Sequence, residues 1–479
     1  MRVWSAEHGG IEVNEGQLGR ALIEQNPWWV SEEWVRDDPD LRELANVPFE
    51  YRPLPLADIA PDGLYLLLGP RRVGKSVELK RAVVELVASG VEPRRIVYFS
   101  CDALRAADLP RLFRAARNLT RTLNAPRYWL LDEITSVAGW AAVIKGERDQ
   151  TRLRDDCVVL TGSSNRDLQD AVAELAGRHG RETADAERLL LPMPFRAFCR
   201  VIGVEGLPDI PPVRPRDVFM SPQIVEDGQL YWPRLADAWQ SFLRVGGYPR
   251  AVEGFVTRGQ VPPAFIQDLW DVIRGEAFRT ISMTAPATLA LLNRLAVSLT
   301  GTINASDMAR DLDLRDNARV EARITALVSA FLGVRCYQDD DGRANVNAQR
   351  KFYFTDPLLA RLANLRDRAY ADPDDSRVTE QQVGLALHRA IEREQPGSFV
   401  QGNEVRYWVN RTTHAEIDFV GRLVGAGCEV KYVDEGWRGA ARTLLAHGRG
   451  GVVVTRSAFA LDADALAIPA GLYVWLIGG

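Results

Sequence analysis

The eight residues "GPRRVGKS", 69–76, constrain this chain more than any other stretch. They fit the spacing G-x-x-x-x-G-K-[ST] in full. The context fits as well: the apolar run "GLYLLL" (63–68) precedes them, and "SVELKRAVVELVAS" follows with helical periodicity. Strand, glycine loop and helix together form a phosphate cradle, because loop N–H groups and the helix N-terminus supply positive potential. Gly69 and Gly74 let the backbone approach closely. Pro70, Arg71, Arg72 and Val73 fill the loop between them, and Val77 carries it into the helix. Lys75 is predicted to reach the β- and γ-phosphates, and the Ser76 hydroxyl to ligate Mg²⁺. The expected cofactors are therefore ATP and Mg²⁺.

Hydrolysis requires acids at the end of a second strand. "RYWLLDEI" (127–134) supplies an apolar run followed by Asp132 and Glu133, as a strand buried on both faces would. Asp132 is expected to hold Mg²⁺ through water, and Glu133 to orient and deprotonate the attacking water. Two further runs, "RRIVYFSCD" (94–102) and "DCVVLTGSS" (156–164), frame the sheet. Ligands of a parallel sheet sit beyond the C-terminal strand ends. That places Thr161, Ser163 and Ser164 either to sense a γ-phosphate or to cap the next helix. "LAGRHGRE" (175–182) offers Arg178 and Arg181, read either as an arginine supplied to the γ-phosphate or as an exposed basic loop.

Composition narrows the setting. The chain has 479 residues, 46% of them hydrophobic and 26% charged, with a net charge of −5. Several soluble globular domains are expected, and any nucleic-acid contact must come from local patches. The five cysteines are scattered without CxxC pairs, which argues against a disulfide framework or zinc site and for a reducing cytoplasm. "MRVWSAEHGG" lacks the apolar core of a signal peptide, and no apolar run approaches the length of a membrane span.

Several ordered markers carry a resemblance: "GPRRVGKS", "YWLLDEI" followed by "VAGW", "LTGSS", "AGRHGR", "LLPMPFRAF" and "VGGYP". Their order resembles a family of prokaryotic AAA-type P-loop ATPases that carry a C-terminal domain of poorly defined function. "NPWW" (26–29) and "EYRPLPL" (50–56) resemble the N-terminal extension of one subgroup. The resemblance implies a five-stranded parallel core, then a helical segment, a winged-helix segment and a nuclease-like domain. Expected domains are an extension (1–57), the ATPase core (58–200), a helical segment (201–285), a winged-helix-like domain (286–372) and a restriction-endonuclease-like α/β domain (373–479). The Pro-rich insertion in 199–235 has no assigned role beyond a solvated linker.

In the middle segment, "ATLALLNRLAVSLTG" is amphipathic, with Gly301 as its expected C-cap. "NASDMARDL" opens with Asn304 three residues before Asp307, like a capping box. "RDNARVEARITALVSAFLG" places Val320, Ile324, Leu327 and Phe331 on one face and Arg315, Arg319 and Arg323 on another. This pattern is a candidate DNA reader, with a protein-contact role as the alternative.

Residues 380–479 read as helix, three strands, helix and two strands, the last being "GLYVWLIG". This order resembles the core of restriction-type endonucleases, whose signature is an Asp followed by Glu-x-Lys on the next strand. Asp418, Glu429 and Lys431 fit it, with Glu380 as the extra acid of the first helix. Glu429 and Lys431, two apart, share a strand face. Asp418 and Glu429, with the Val430 carbonyl, are candidate Mg²⁺ ligands, and Lys431 a candidate catalytic residue for phosphodiester cleavage. The competing reading is a solvated charged hairpin.

The combined expectation is a cytoplasmic, Mg²⁺-dependent ATPase whose nucleotide state controls a nuclease-like module directed at DNA. The alternatives are an ATP-driven binding switch, or a protein-remodelling ATPase without nuclease activity. A remodelling ATPase would be a homo-oligomer with Arg178 acting on a neighbouring subunit.

Overall fold

In the computed structural model all four apolar runs of the N-terminal third become strands: β1 (Leu64–Leu68), β2 (Ile96–Ser100), β3 (Tyr128–Asp132) and β4 (Cys157–Thr161). The structure describes residues 15–121, 123, 125–150, 153–162, 175, 186–278, 281, 283–446, 450–461 and 465–479. β1, β3 and β4 are buried at every position. A run without polar alternation has no solvent face, so it belongs inside a parallel sheet covered on both sides. The order is β2-β3-β4-β1-β5, and every pair is parallel. The fifth strand, β5 (Glu187–Leu189), is three half-buried residues and has no legible apolar run.

β2 is an edge of this sheet, and its outer backbone groups are closed by side chains from the start of the chain. Asn26, which follows helix α1 (Glu15–Gln25), donates from Nδ2 to the Tyr98 carbonyl (2.9 Å) and accepts at Oδ1 from the Tyr98 N–H (2.7 Å). The indoles of Trp28 and Trp29 both donate to the Ile96 carbonyl, at 3.0 and 2.8 Å. Gln25 accepts from the Ser100 N–H at 2.8 Å. The "NPWW" motif thus acts as a surrogate strand, covering an edge that would otherwise invite pairing with another chain. Asn26→Ala should cost about 2–4 kcal/mol, since it leaves a buried N–H and a buried C=O unpaired. Asn26→Asp, which keeps the acceptor but buries a carboxylate against the Tyr98 carbonyl, should cost at least as much. Urea denaturation measures both, and equal stability of all three proteins would remove this role. Lys80 ties the same extension to the P-loop helix α2 (Lys75–Ala88), pairing with Asp38 at 2.7 Å and Asp40 at 2.5 Å.

The chain divides into two compact units, one holding the described residues up to Val47 and Arg52–Leu190, the other Pro48–Tyr51 and Leu191–Gly479. In the second unit, helices α3 (Ala285–Val297), α4 (Ala305–Asp311) and α5 (Asn317–Ser329) are capped by the side chains of Thr284, Asn304 and Asp316. Strands β6 (Gly333–Asp340), β7 (Arg343–Asn345) and β8 (Lys351–Phe354) follow, then helices α6 (Pro357–Arg366) and α7 (Asp375–Glu394). The remaining elements are β9 (Arg406–Val409), β10 (Glu416–Val420), β11 (Gly427–Lys431), α8 (Arg438–Ala446), β12 (Gly451–Thr455), β13 (Ala460–Leu461), β14 (Ala465–Pro469) and α9 (Ala470–Leu476). One sheet joins them in the order β13-β14-β12-β11-β10-β9-β6-β7, with β8 on β6. β9, β10 and β11 are antiparallel neighbours, while β11, β12 and β14 run parallel.

Three local expectations change. "GLYVWLIG" is not a strand: Ala470–Leu476 is a helix buried at every position, and an all-apolar run has no period to distinguish the two. The cap after α3 is Ser298 rather than Gly301. The basic stripe on α5 does not form. Arg315 precedes the helix, and Arg323 is buried and donates to the Arg319 carbonyl at 2.8 Å.

The markers "PMPF" and "GGYP" meet at one buried carboxylate. Met193 N donates to the Gly247 carbonyl (2.7 Å), and Gly247 N donates to Asp356 (2.7 Å). Gly246 has φ 70°, and a Cβ there would lie 2.1 Å from the Asp356 carboxylate, so only glycine fits. Burial pushes Asp356 up to about 7 despite the Gly247 and Leu358 N–H bonds. All five cysteines are buried and unbridged. Among the described residues no helix is long and apolar enough to cross a membrane.

Candidate functional site

The P-loop leaves β1 through Gly69 at φ 148°, where a Cβ would lie 1.9 Å from the Leu190 carbonyl. Gly74, at φ 102°, precedes the first residue of α2, which is Lys75. Between them Arg72 takes a left-handed turn at φ 71°. The Lys75 amine is buried and donates to the Gly69 and Pro70 carbonyls at 2.9 and 3.0 Å. It is folded against the loop that would receive phosphates. Ser76 stands in the first turn of α2, half-buried.

Across the sheet, Asp132 ends β3 within a tight web. Its Oδ1 accepts from the Thr161 hydroxyl (2.5 Å) and the Glu133 N–H (3.1 Å), and its Oδ2 from the Tyr98 hydroxyl (3.0 Å). Glu133 turns sharply into the left-handed region at φ 50°, ψ 41°, its N–H shared with the Thr161 hydroxyl at 3.0 Å. Burial raises the Glu133 carboxyl above its ordinary value, and the nearby charges of Lys75 and Arg71 oppose that rise. The fold therefore brings Arg71, Lys75, Asp132 and Glu133 into one electrostatic group. The Thr161 hydroxyl braces Asp132 and the Glu133 N–H. Ser163, Ser164, Arg178 and Arg181 lie outside the described residues.

Tyr98 was not legible as a site residue. It sits on β2, and only the β2–β3 pairing brings its hydroxyl to Asp132. The donor set suits a nucleotide with Mg²⁺: an ammonium and a helix N-terminus for phosphates, the Ser76 hydroxyl for the ion, and Asp132 for the ion through water. The ion would supply charge neutralisation at the phosphates.

The second candidate cluster lies in the second unit. β10 and β11 pair with Phe419 opposite Cys428, which sets Asp418 directly across from Glu429. Glu429 accepts from the Asp418 N–H (3.1 Å), and Asp418 Oδ2 accepts from the Val430 N–H (2.9 Å). Glu380, from α7, is also buried, and accepts from the Tyr353 hydroxyl at 2.8 Å. Lys431 is half-exposed at the rim and pairs with Glu429 at 3.1 Å. The expected Asp418, Glu429, Lys431 and Glu380 are thus assembled.

Lys351 was not expected there. From β8 its amine pairs with Glu380 at 3.2 Å, with Asp418 Oδ1 at 3.1 Å, and with Glu416. Its side chain is 0% exposed. Burial works against its charge, but Tyr353 and the surrounding Asp418, Glu380 and Glu416 carboxyls hold it protonated well above the ordinary lysine range. Burial, then the charge of Asp418, pushes Glu380 up to about 8 and Glu429 up to about 7. No sequence signal marked Lys351, which lies 67 residues from Asp418.

These residues do not fit the expected Mg²⁺ site. Asp418 has one oxygen on Lys351 and the other on the Val430 N–H. Glu429 has one on Lys431 and the other on the Asp418 N–H. Among the described residues no group of three or more His, Cys, Asp or Glu is arranged to hold a metal ion.

With this geometry in hand, residues 62–199 match the model of an AAA domain family, and residues 236–369 match a domain of unknown function, DUF8612. The chain is 28% identical over 202 residues to an uncharacterized protein, MJ1637, of Methanocaldococcus jannaschii, and the match spans 39% of that relative's length. A Walker-type ATPase of Pyrococcus abyssi superposes with a TM-score of 0.38 at 16% identity, over 70% of this chain and 95% of that one. The ORC2 protein of Aeropyrum pernix, in its ADPNP–ADP complexes, gives 0.31 at 14%, over 65% and 89%. The domain match, the five-stranded parallel sheet and the P-loop agree: residues 62–199 are an AAA-type P-loop domain.

Proposed function

We propose that the protein is a Mg²⁺-dependent ATPase whose nucleotide state controls a nuclease-like, nucleic-acid-directed second unit. The observation that carries the ATPase reading is the convergence of Lys75 and Arg71 with Asp132 and Glu133 at the C-terminal end of the sheet. Lys75 and the loop N–H groups bind the β- and γ-phosphates, Ser76 would hold Mg²⁺ directly and Asp132 through water, and Glu133 takes a proton from the attacking water. The order of helix α7, strands β9–β11, helix α8 and the parallel strands β12 and β14 supports the nuclease-like reading of the second unit. The succession of helices α3–α5 and strands β6–β8 supports a winged-helix reading, and the buried Arg323 removes part of its basic surface.

A second reading, in which the second unit binds DNA without cutting it, is favoured by one observation: the Lys351 ammonium lies among the acids that would hold a metal. Incubation of supercoiled and linear DNA with Mg²⁺ or Mn²⁺, with and without ATP, separates the two. Retention of DNA in a gel-shift assay without cleavage supports the second reading. Cleavage that disappears in Asp418→Ala establishes the nuclease.

A further inference from the structure

We propose that Lys351 is the resident cation of the acidic cluster in the second unit, holding the Asp418 oxygen that a divalent metal would need, so that the cluster excludes divalent cations. Glu380 on α7 and Glu416 and Asp418 on β10 converge on one point. The three carboxylates surround a single cation, the ammonium of a lysine on a strand of the same unit.

The amine has nowhere to retreat. All four residues of β8 are buried, and the strand is locked to β6 in a register running from Gly333–Phe354 to Cys336–Lys351. The Tyr407 ring lies 5.6 Å from the Lys351 amine, and the Tyr407 hydroxyl is itself fixed on the Gln349 carbonyl at 2.5 Å. An entering metal would have to expel a fully enclosed charge and also strip the N–H donors of Val430 and Asp418 from the carboxylates they satisfy. Lys431 supplies a second positive charge at the rim, on Glu429. An ammonium balances charge but has no open coordination position at which to bind and acidify a water. The cluster is then an ion network that braces α7, β8, β10 and β11.

This deepens the second reading above and rests on it only for its consequence at DNA. The cation question is answered in nucleotide-free protein without DNA, so failure here leaves the ATPase and DNA-binding readings standing. The experiment is a Mn²⁺ titration of the full chain followed by electron paramagnetic resonance, with Asp418→Asn used to assign any bound ion. The wild-type chain should show no bound Mn²⁺ that depends on Asp418. A stoichiometric Mn²⁺ site lost in Asp418→Asn overturns the proposal, and this arm decides the matter even where other variants fail to fold. Lys351→Met, tested alongside, should gain one bound Mn²⁺ that is lost again when Asp418→Asn is added. A folded Lys351→Met protein that gains none overturns it equally.

Discussion

Glu133→Gln lowers ATP hydrolysis by a factor of about 10²–10⁴, the range of a lost general base, while ATP binding is retained. The backbone of Glu133 is fixed at this position. The residue sits in a left-handed turn at the end of β3, with its N–H held by Asp132 and Thr161. Gln is nearly isosteric and leaves those main-chain bonds untouched, so the fold and the phosphate loop survive the change. What goes is a carboxylate whose proton affinity burial has raised, moving it toward the range where a base accepts a proton effectively. The sign follows: hydrolysis needs the deprotonated form, so the rate falls as pH drops through the raised value. The acid limb of the profile therefore lies higher than that of an exposed glutamate, and it vanishes in Glu133→Gln. Single-turnover phosphate release from pre-bound ATP reads both effects. A Gln variant that turns over at the wild-type rate removes Glu133 from the chemistry.

Lys351→Met destabilises the second unit by about 3–5 kcal/mol, the cost of stripping one partner from a buried ion pair. Methionine fills the volume but leaves Glu380, Asp418 and Glu416 around an uncharged position. Neutralising an acid in the same background, as Lys351→Met with Asp418→Asn, should recover part of the loss, because fewer charges then stand unpaired. That non-additivity marks direct coupling. Chemical denaturation of the four proteins supplies the cycle. A loss below about 1 kcal/mol for Lys351→Met, the range of an exposed pair, contradicts the buried network.

The P-loop and the Asp132–Glu133 strand end were legible because each lies in one contiguous stretch: an apolar strand followed at once by its loop. The hairpin of Asp418 and Glu429 was legible for the same reason, since two adjacent strands and a turn fix their register. The rest depended on pairings between distant segments. Tyr98 reaches Asp132 only because β2 lies beside β3. Lys351 reaches Glu380 and Asp418 only because β8 folds against α7 and the strands beyond it. A helical period suggested a basic stripe on α5, yet the period does not say which face packs inward, and Arg323 went in. β5 and the helix Ala470–Leu476 show the two limits of pattern reading: a strand too short to have a pattern, and a run too apolar to have a period.

Steady-state phosphate release from ATP is the most direct test of the central claim, run with Mg²⁺ and with EDTA on the wild-type chain and on Lys75→Ala. The predicted result is release that requires Mg²⁺ and is lost in Lys75→Ala, whose missing amine no longer meets the phosphates. ATP left intact by the wild-type chain at every Mg²⁺ concentration, or turnover undiminished in Lys75→Ala, would contradict the assignment of this loop as the site of hydrolysis.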